Sequence, residues 1–292
     1  MTKAELKKFS EAVTTIKSIT RVYEQAAARK MKMVKMEIED IAQYLNEATN
    51  TYSSSKYAIT EGEKPKVRQA VLASSFRKPT KKQVLVLIAS QTQYYGNLIP
   101  SLFKEFMNYY KKTGSDAVIL GKIGKDLAEK NNLTAQNITY WDFDDASPAW
   151  NVVHEVSNQL ADYTEIIVFY GEYKSVLTQE AKSANLAEKI VVREVKEEKQ
   201  YLFRPQPQLA LSFLEKQMIA GGFLEKIYES QVAKYAARIK ILEIGQVAEK
   251  ISNAMDDLAR GRRNFRKNSN NRKQQQLFTG SDLWQNEGLG DI

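Results

Sequence analysis

From Leu6 to Leu45 the apolar or small residues stand at Leu6, Phe9, Val13, Ile16, Thr20, Tyr23, Ala27, Met31, Val34, Ile38, Ile41 and Leu45, spaced alternately by three and four. Only around Ala27 do two fours fall together. That is a coiled-coil seam with one stutter, where the supercoil locally unwinds and the contact stripe changes phase. No proline or glycine interrupts it. A helix of this span is roughly 60 Å long, more than a small domain can cover, so it needs a partner helix. The partner pattern lies at the far end of the chain. Tyr228, Val232, Tyr235, Ile239 and Leu242 repeat by fours and threes, and after a phase shift Val247, Ile251, Ala254 and Leu258 do so again. Beyond them Arg260 to Gln276 is almost wholly polar, and a helix polar all round has no core of its own to hold it. Such a helix is either frayed or enclosed by other proteins.

Between the two seams the periodicity changes. Thr49 to Pro65, with Ser53-Ser-Ser55, Gly62 and Pro65, reads as a loop out of the first helix. Val84 to Ala89 is a continuous apolar run, the mark of a strand buried on both faces. An amphipathic helix from Leu98 to Lys111, with Pro100 in its first turn, follows. Strands at Ala117–Leu120, Asn137–Tyr140 and Glu165–Tyr170 alternate with helices after Gly124 and from Trp150 to Asp162, and Ile190–Val195 is a further strand candidate. Strands alternating with helices imply a Rossmann-like sheet, mainly parallel. The expected fold is α/β: a long antiparallel coiled coil of the N- and C-terminal helices with a Rossmann-like α/β domain inserted between them. The expected divisions are the first shaft helix over 1–50, a connection over 51–82, the α/β domain over 83–204, the second shaft helix over 205–280 and a flexible tail over 281–292.

Composition removes several chemistries. The 292 residues contain no cysteine, which excludes disulfides, thiol nucleophiles and cysteine-held metals. His154 is the sole histidine, so a Ser-His-Asp site has one place to be built and a multi-histidine metal site has none. It falls on an amphipathic segment and reads as a helix-surface residue. No run of about 18 apolar residues occurs and the start is polar, so neither a span nor a secretory signal is expected. The turn after the first strand, Ser90-Gln-Thr-Gln-Tyr-Tyr-Gly96, sits where a Rossmann domain binds a nucleotide, yet it lacks GxGxxG and carries Tyr94 and Tyr95 where pyrophosphate needs bare backbone. Gly121-Lys-Ile-Gly-Lys125 lacks the Walker spacing and reads as a strand-closing turn. Asp142, Asp144 and Asp145 lack the EF-hand pattern and read as a solvated acidic loop. No cofactor or metal is expected.

A net charge of +8 admits nucleic acid, an anionic surface or an acidic protein as partner. Arg260 to Lys273 holds seven Arg or Lys and no acid, but its one aromatic is Phe265 and no nucleic-acid motif is present.

Several segments, taken in order, resemble the gamma subunit of F-type ATP synthases. Met31-Lys-Met-Val34 with Gln25 upstream is similar to the family's Q-K-I-T-K-A-M-x-M-V, and Val84 to Ser90 followed by Tyr95-Gly-Asn-Leu98 to its first strand and turn. Val118 to Lys125 is similar to its second strand and glycine turn, Phe169 to Gln179 to its Y-N-x-F-x-S-x-x-x-Q, and Tyr201 to Pro205 to its Y-x-F-E-P, with Arg204 in place of the glutamate. Glu229 to Arg238 is similar to E-S-x-A-S-E-x-A-A-R-M. The family's G-L-C-G is replaced by Gln93-Tyr-Tyr-Gly96, and the end of the chain departs furthest, which marks a divergent, bacterial member.

The resemblance implies a noncatalytic rotor shaft on the cytoplasmic face of the cell membrane, partnered by the alpha and beta subunits, the epsilon subunit and the membrane c-ring, and coupling ion-driven rotation to ATP synthesis or hydrolysis. It makes Arg29, Lys30, Lys32 and Lys35 candidate contacts to acidic loops of the surrounding ring, with Met31 and Val34 in the seam. Met33 and Met36 offer adaptable apolar contact. Arg262, Arg263, Arg266 and Lys267 are candidates for an upper bearing. A basic nucleic-acid-binding protein with a coiled-coil arm is the alternative, and an orphan Rossmann enzyme the third reading.

Overall fold

The computed structural model describes residues 3–60, 64–133, 137–144, 148, 150–190, 192 and 206–286. Side chains are described for all of these except 3–14, 16, 189, 245–249, 251–252, 254–256, 259 and 276–286. The chain divides into one compact unit up to Leu242 and a second from Glu243 on.

Helix α1 spans Lys3–Ile59. It runs through the serine-rich stretch read above as a loop, and the reason is local. Thr49 Oγ1 donates to the Leu45 carbonyl at 2.7 Å, and Ser53 Oγ to the Thr49 carbonyl at 2.7 Å. Hydroxyls bonded back four residues along the helix do not compete with it for backbone groups. Tyr52, Ser53, Ser55 and Lys56 are buried, so tertiary packing outweighs the weak intrinsic propensity of serine. Helix α2, Pro65–Ala73, then leads to the sheet with proline in its first turn and no buried residue.

Five strands follow: β1 Lys81–Ile88, β2 Asp116–Leu120, β3 Ile138–Trp141, β4 Tyr163–Tyr173 and β5 Gln179–Asn185. Helices α3 Leu98–Thr113, α4 Lys122–Lys130 and α5 Trp150–Leu160 connect the first four. The strand order is β3-β2-β1-β4-β5, with every pair parallel except β4 and β5. The polar segment Gln179 to Asn185 gave no strand signal. It is an edge strand, paired on one side only, which a polar sequence suits. The strand expected over Ile190–Val195 is not formed by its described residues: Ile190 and Val192 pack beside Tyr52 and Leu211, and the rest of that segment, like Tyr201–Pro205, lies outside the described residues.

Alternate residues of β1 divide the core. Val84, Val86 and Ile88 join Val153, Val156 and Leu160 of α5, while Leu85, Leu87 and Ala89 join α3 and α4 on the opposite face. Helix α6, Pro207–Asn286, extends past residue 281, where a flexible tail was expected. Its residues Ile219, Phe223, Leu224 and Ile227 enter the first core, and Ala233 and Ala237 enter the second. Within the first unit it lies antiparallel to α1. Tyr52 meets Glu215, Leu45 meets Gly221, and Ala27 meets Tyr235 and Ile239. A Cβ on Gly221 would stand 2.8 Å from Leu45 Cδ2, so glycine sets how closely the two helices approach. The seam holds at Ala27, Met31 and Val34, but Tyr23 is 60% exposed, with Ile19 and Val22 also exposed. The apolar stripe continues in sequence beyond the point where the first unit covers it.

Candidate functional site

In a doubly wound sheet the ligand crevice opens beyond the carboxyl ends of the strands where the strand order reverses, here between β1 and β4. In this chain α6 occupies that place. Lys234, 1% exposed, donates from Nζ to the Ala89 carbonyl just past β1. A Cβ on Gly171 of β4 would stand 3.2 Å from both Ala233 Cβ and Leu98 Cδ2. Arg238 completes the plug: its guanidinium lies 5.0 Å from the centre of the Tyr95 ring and Nη2 donates to Tyr95 Oη at 3.2 Å and Thr92 Oγ1 at 3.3 Å. A guanidinium stacked on an aromatic face gains from both cation–π attraction and planar packing. Tyr95, which the sequence shows only as an obstacle to nucleotide, is the platform for this arginine. Beside it, Gly121 has φ 89°, and a Cβ there would come 2.8 Å from the Ser90 backbone. The Gly-Lys-Ile-Gly segment thus closes β2 and opens α4, the strand-closing turn expected of it, with Gly121 against the Ser90 backbone.

The other end of the first unit is held by a buried carboxylate. Glu215 is fully buried and accepts four hydrogen bonds: Tyr52 Oη at 2.5 Å, Ser75 Oγ at 2.7 Å, the Phe76 amide at 2.9 Å and the Arg77 amide at 2.7 Å. Arg77 Nη1 donates to the Tyr163 carbonyl at 2.8 Å and the Ala161 carbonyl at 3.3 Å, and Lys56 Nζ to the Ser74 carbonyl at 2.5 Å and the Leu72 carbonyl at 3.1 Å. Burial lowers the pKa of both Lys56 and Arg77, and the negative charge of Glu215 opposes that in each. Burial, then the hydrogen bond to Glu215, pushes the Tyr52 phenol up. Such a cluster persists because every charge has partners. One carboxylate therefore fixes α1, the α2–β1 connection and α6 together. Its sequence signal is small: an acid four residues after Leu211 and three before Met218, on an apolar face.

The stretch from Arg29 to Met36 presents a mixed surface. Arg29, Lys30 and Lys32 are exposed, Met33 is 66% and Met36 59% exposed, and Met31 and Val34 turn inward against Ala27, Tyr235 and Ile239. Lys35 differs from the other cations. It is half-buried, with Nζ 4.4 Å from the centre of the Tyr173 ring at the end of β4. Four residues beyond Met31, it shares the stripe that faces the α/β domain.

In the second unit Arg262, Arg263, Arg266 and Lys267 are all exposed, and Leu258 and Phe265 stand exposed among them, while Arg260 pairs with Asp257 at 3.5 Å. His154 is exposed on α5. Asp142 and Asp144 are exposed around a buried Phe143, and Asp145 lies outside the described residues. Among the described residues no group of three or more His, Asp or Glu is placed to hold a metal, and no helix is long and apolar enough to cross a membrane.

The family model that matches this chain is described as ATP synthase and aligns with residues 2–277. In fold, the chain is similar to one in the central stalk and c-ring structure of the Tetrahymena thermophila mitochondrial ATP synthase, with a TM-score of 0.54 and 16% identity, covering 78% of this chain and 99% of that one. A chain of the Euglena gracilis mitochondrial ATP synthase in rotational state 3 aligns with a TM-score of 0.43 and 12% identity, covering 92% of this chain and 97% of its own. No curated protein matches it in sequence.

Proposed function

This chain belongs to the gamma-subunit family of ATP synthases, and from that premise we propose how it works: as a noncatalytic shaft whose α/β domain is a socket rather than an active site. The observation that carries the reading is the plugged crevice. The place where this fold class binds small ligands is filled by Lys234 and Arg238 of the chain's own α6, so the sheet grips a helix. At the switch point between β1 and β4 a ligand would have to displace Arg238 from Tyr95.

In this reading the nucleotide sites belong to a ring of alpha and beta subunits, the shaft helices stand within that ring, and the α/β domain meets the epsilon subunit and the c-ring at a bacterial cell membrane, on its cytoplasmic face. The shaft biases each catalytic subunit only as far as its contacts differ between their conformations. Arg29, Lys30, Lys32, Met33 and Met36 form one contact surface. Arg262, Arg263, Arg266 and Lys267 supply another. A shaft that turns must not bind too well at one angle, and exposed cations and flexible methionines meet that need better than a close-packed face. The nucleic-acid reading of the basic segment gains nothing from the family match.

Affinity isolation of the tagged chain from its native cells tests the proposal. It is expected to bring down alpha and beta subunits together with ATPase activity; recovery of nucleic acid in a salt-sensitive complex, with no ATPase subunits, would refute it.

A further inference from the structure

We propose that the turn between β4 and β5, Lys174 to Thr178, is a collar that clamps the two shaft helices to the α/β domain and sets the stiffness with which one turns the other. Its role as a drive element rests on the rotor reading above. Its role as a clamp does not.

The clamp starts from an overhang. Strand β1 pairs with β4 as far as Leu87 and Phe169, while β4 continues to Tyr173 with only β5 beside it. This two-stranded extension carries the turn away from the sheet. Isolated two-stranded ribbons are flexible, yet this turn is braced from within. The Lys174 and Ser175 amides donate to the Thr178 carbonyl at 3.2 and 3.0 Å, and the Thr178 amide returns to the Ser175 carbonyl at 3.3 Å. Gln179 Nε2 donates to the Ser175 and Val176 carbonyls at 2.8 and 2.7 Å.

Three grips leave the hairpin. Val176 packs into the cluster of Ala27, Met31 and Val34 from α1 with Tyr235 and Ile239 from α6. Lys240 Nζ of α6 donates to the Leu177 carbonyl at 2.6 Å. Lys35 of α1 lies over Tyr173. Each helix is thus held by one cation and one apolar contact. The position is also where the α1 seam stutters. A seam can change phase where a third element supplies a knob, and small Ala27, buried to 4% exposure, leaves room for Val176. The stutter and the collar are one feature, legible in sequence only as two consecutive fours.

The test combines Val176→Ala with Lys240→Met, which truncates the apolar knob and removes one cation without adding the backbone freedom of a glycine. In the isolated full-length chain, amide exchange over Lys174–Thr178 and around Ala27–Val34 is expected to quicken about tenfold, with no comparable change in α3. Unchanged exchange at the collar would overturn the proposal. In complexes immobilised through the ring, a probe on a single thiol introduced by Lys104→Cys reports the angle of the α/β domain, since the chain has no cysteine of its own. With the ring stalled, the angular variance of that probe is expected to rise about twofold in the double variant. Leu177→Ala serves as the control, because the Leu177 side chain is exposed and only its carbonyl is used; it should leave the variance as it was. Equal variance in the double variant and the unaltered chain would overturn the collar. Failure of the unaltered complex to turn the probe on adding ATP would instead refute the rotor reading, and the exchange measurement would still decide the clamp.

Discussion

Glu215 concentrates four hydrogen bonds and the charges of two buried cations on one carboxylate, so its replacement has calculable consequences. Glu215→Leu leaves the Tyr52 and Ser75 hydroxyls and two amides without their acceptor and the two buried cations without the negative charge beside them, and is expected to cost about 3–5 kcal/mol in denaturant unfolding. Glu172, at the rim of the β4–β5 hairpin, is a milder case. Lys174 and Lys182 each reach its carboxylate at 2.6 Å and hold its pKa below the ordinary carboxylate value. Because the folded pKa is the lower one, this pair of contacts adds stability above the ordinary carboxylate pKa of about 4.3, and that contribution is lost as pH falls through the depressed value. Replacing both lysines by methionine should raise the Glu172 midpoint in a carbon-detected NMR titration and make the acid loss of stability less steep. At the proposed ring surface, Arg29, Lys30 and Lys32 are exposed, so their joint replacement by alanine should leave the melting temperature of the chain unchanged. It should lower ATP hydrolysis by the assembled complex by about threefold, a kinetic effect larger at low salt.

Among the elements α6 does the most, since its residues serve both faces of the sheet and plug the strand ends. Its approach to α1 depends on Gly221. Gly221→Leu drives a side chain into Leu45 and is expected to destabilise the chain by about 1–3 kcal/mol, measured by denaturant unfolding, with helix content by circular dichroism retained. The elements that the sequence displayed were those with an apolar run or a clear period: β1 to β4, the three helices α3 to α5 between them and the two long helices. Strand β5 was hidden because an edge strand has one partner and an exposed face, so nothing in Gln-Glu-Ala-Lys-Ser-Ala-Asn alternates clearly. The end of α1 was hidden for the opposite reason: Ser53 and Thr49 advertise a loop, and only burial and back-bonded hydroxyls make them helix.

For the molecule as a whole, every core cluster among the described residues draws on positions no later than Ile239. A chain ending at Leu242 is therefore expected to unfold cooperatively, with a melting temperature within about 5 °C of the full chain, while failing to support turnover in the assembled complex. The sequence by itself determined the architecture, since a heptad seam needs a partner helix and a continuous apolar strand needs cover on both faces, and its ordered motifs determined the family. It also marked the alternation of Met and Lys from Arg29 to Met36, in which Met31 and Val34 fall on the seam, although Met31, like Lys35, was also expected among the outward contacts and is half-buried. Tertiary structure alone decided that Lys35 rests on Tyr173, that Arg238 closes the strand-end crevice, that Glu215 fastens three elements and that Val176 enters the seam at its stutter. These contacts join residues far apart in the chain, and a periodic pattern records which face a residue turns inward but not which distant residue meets it there.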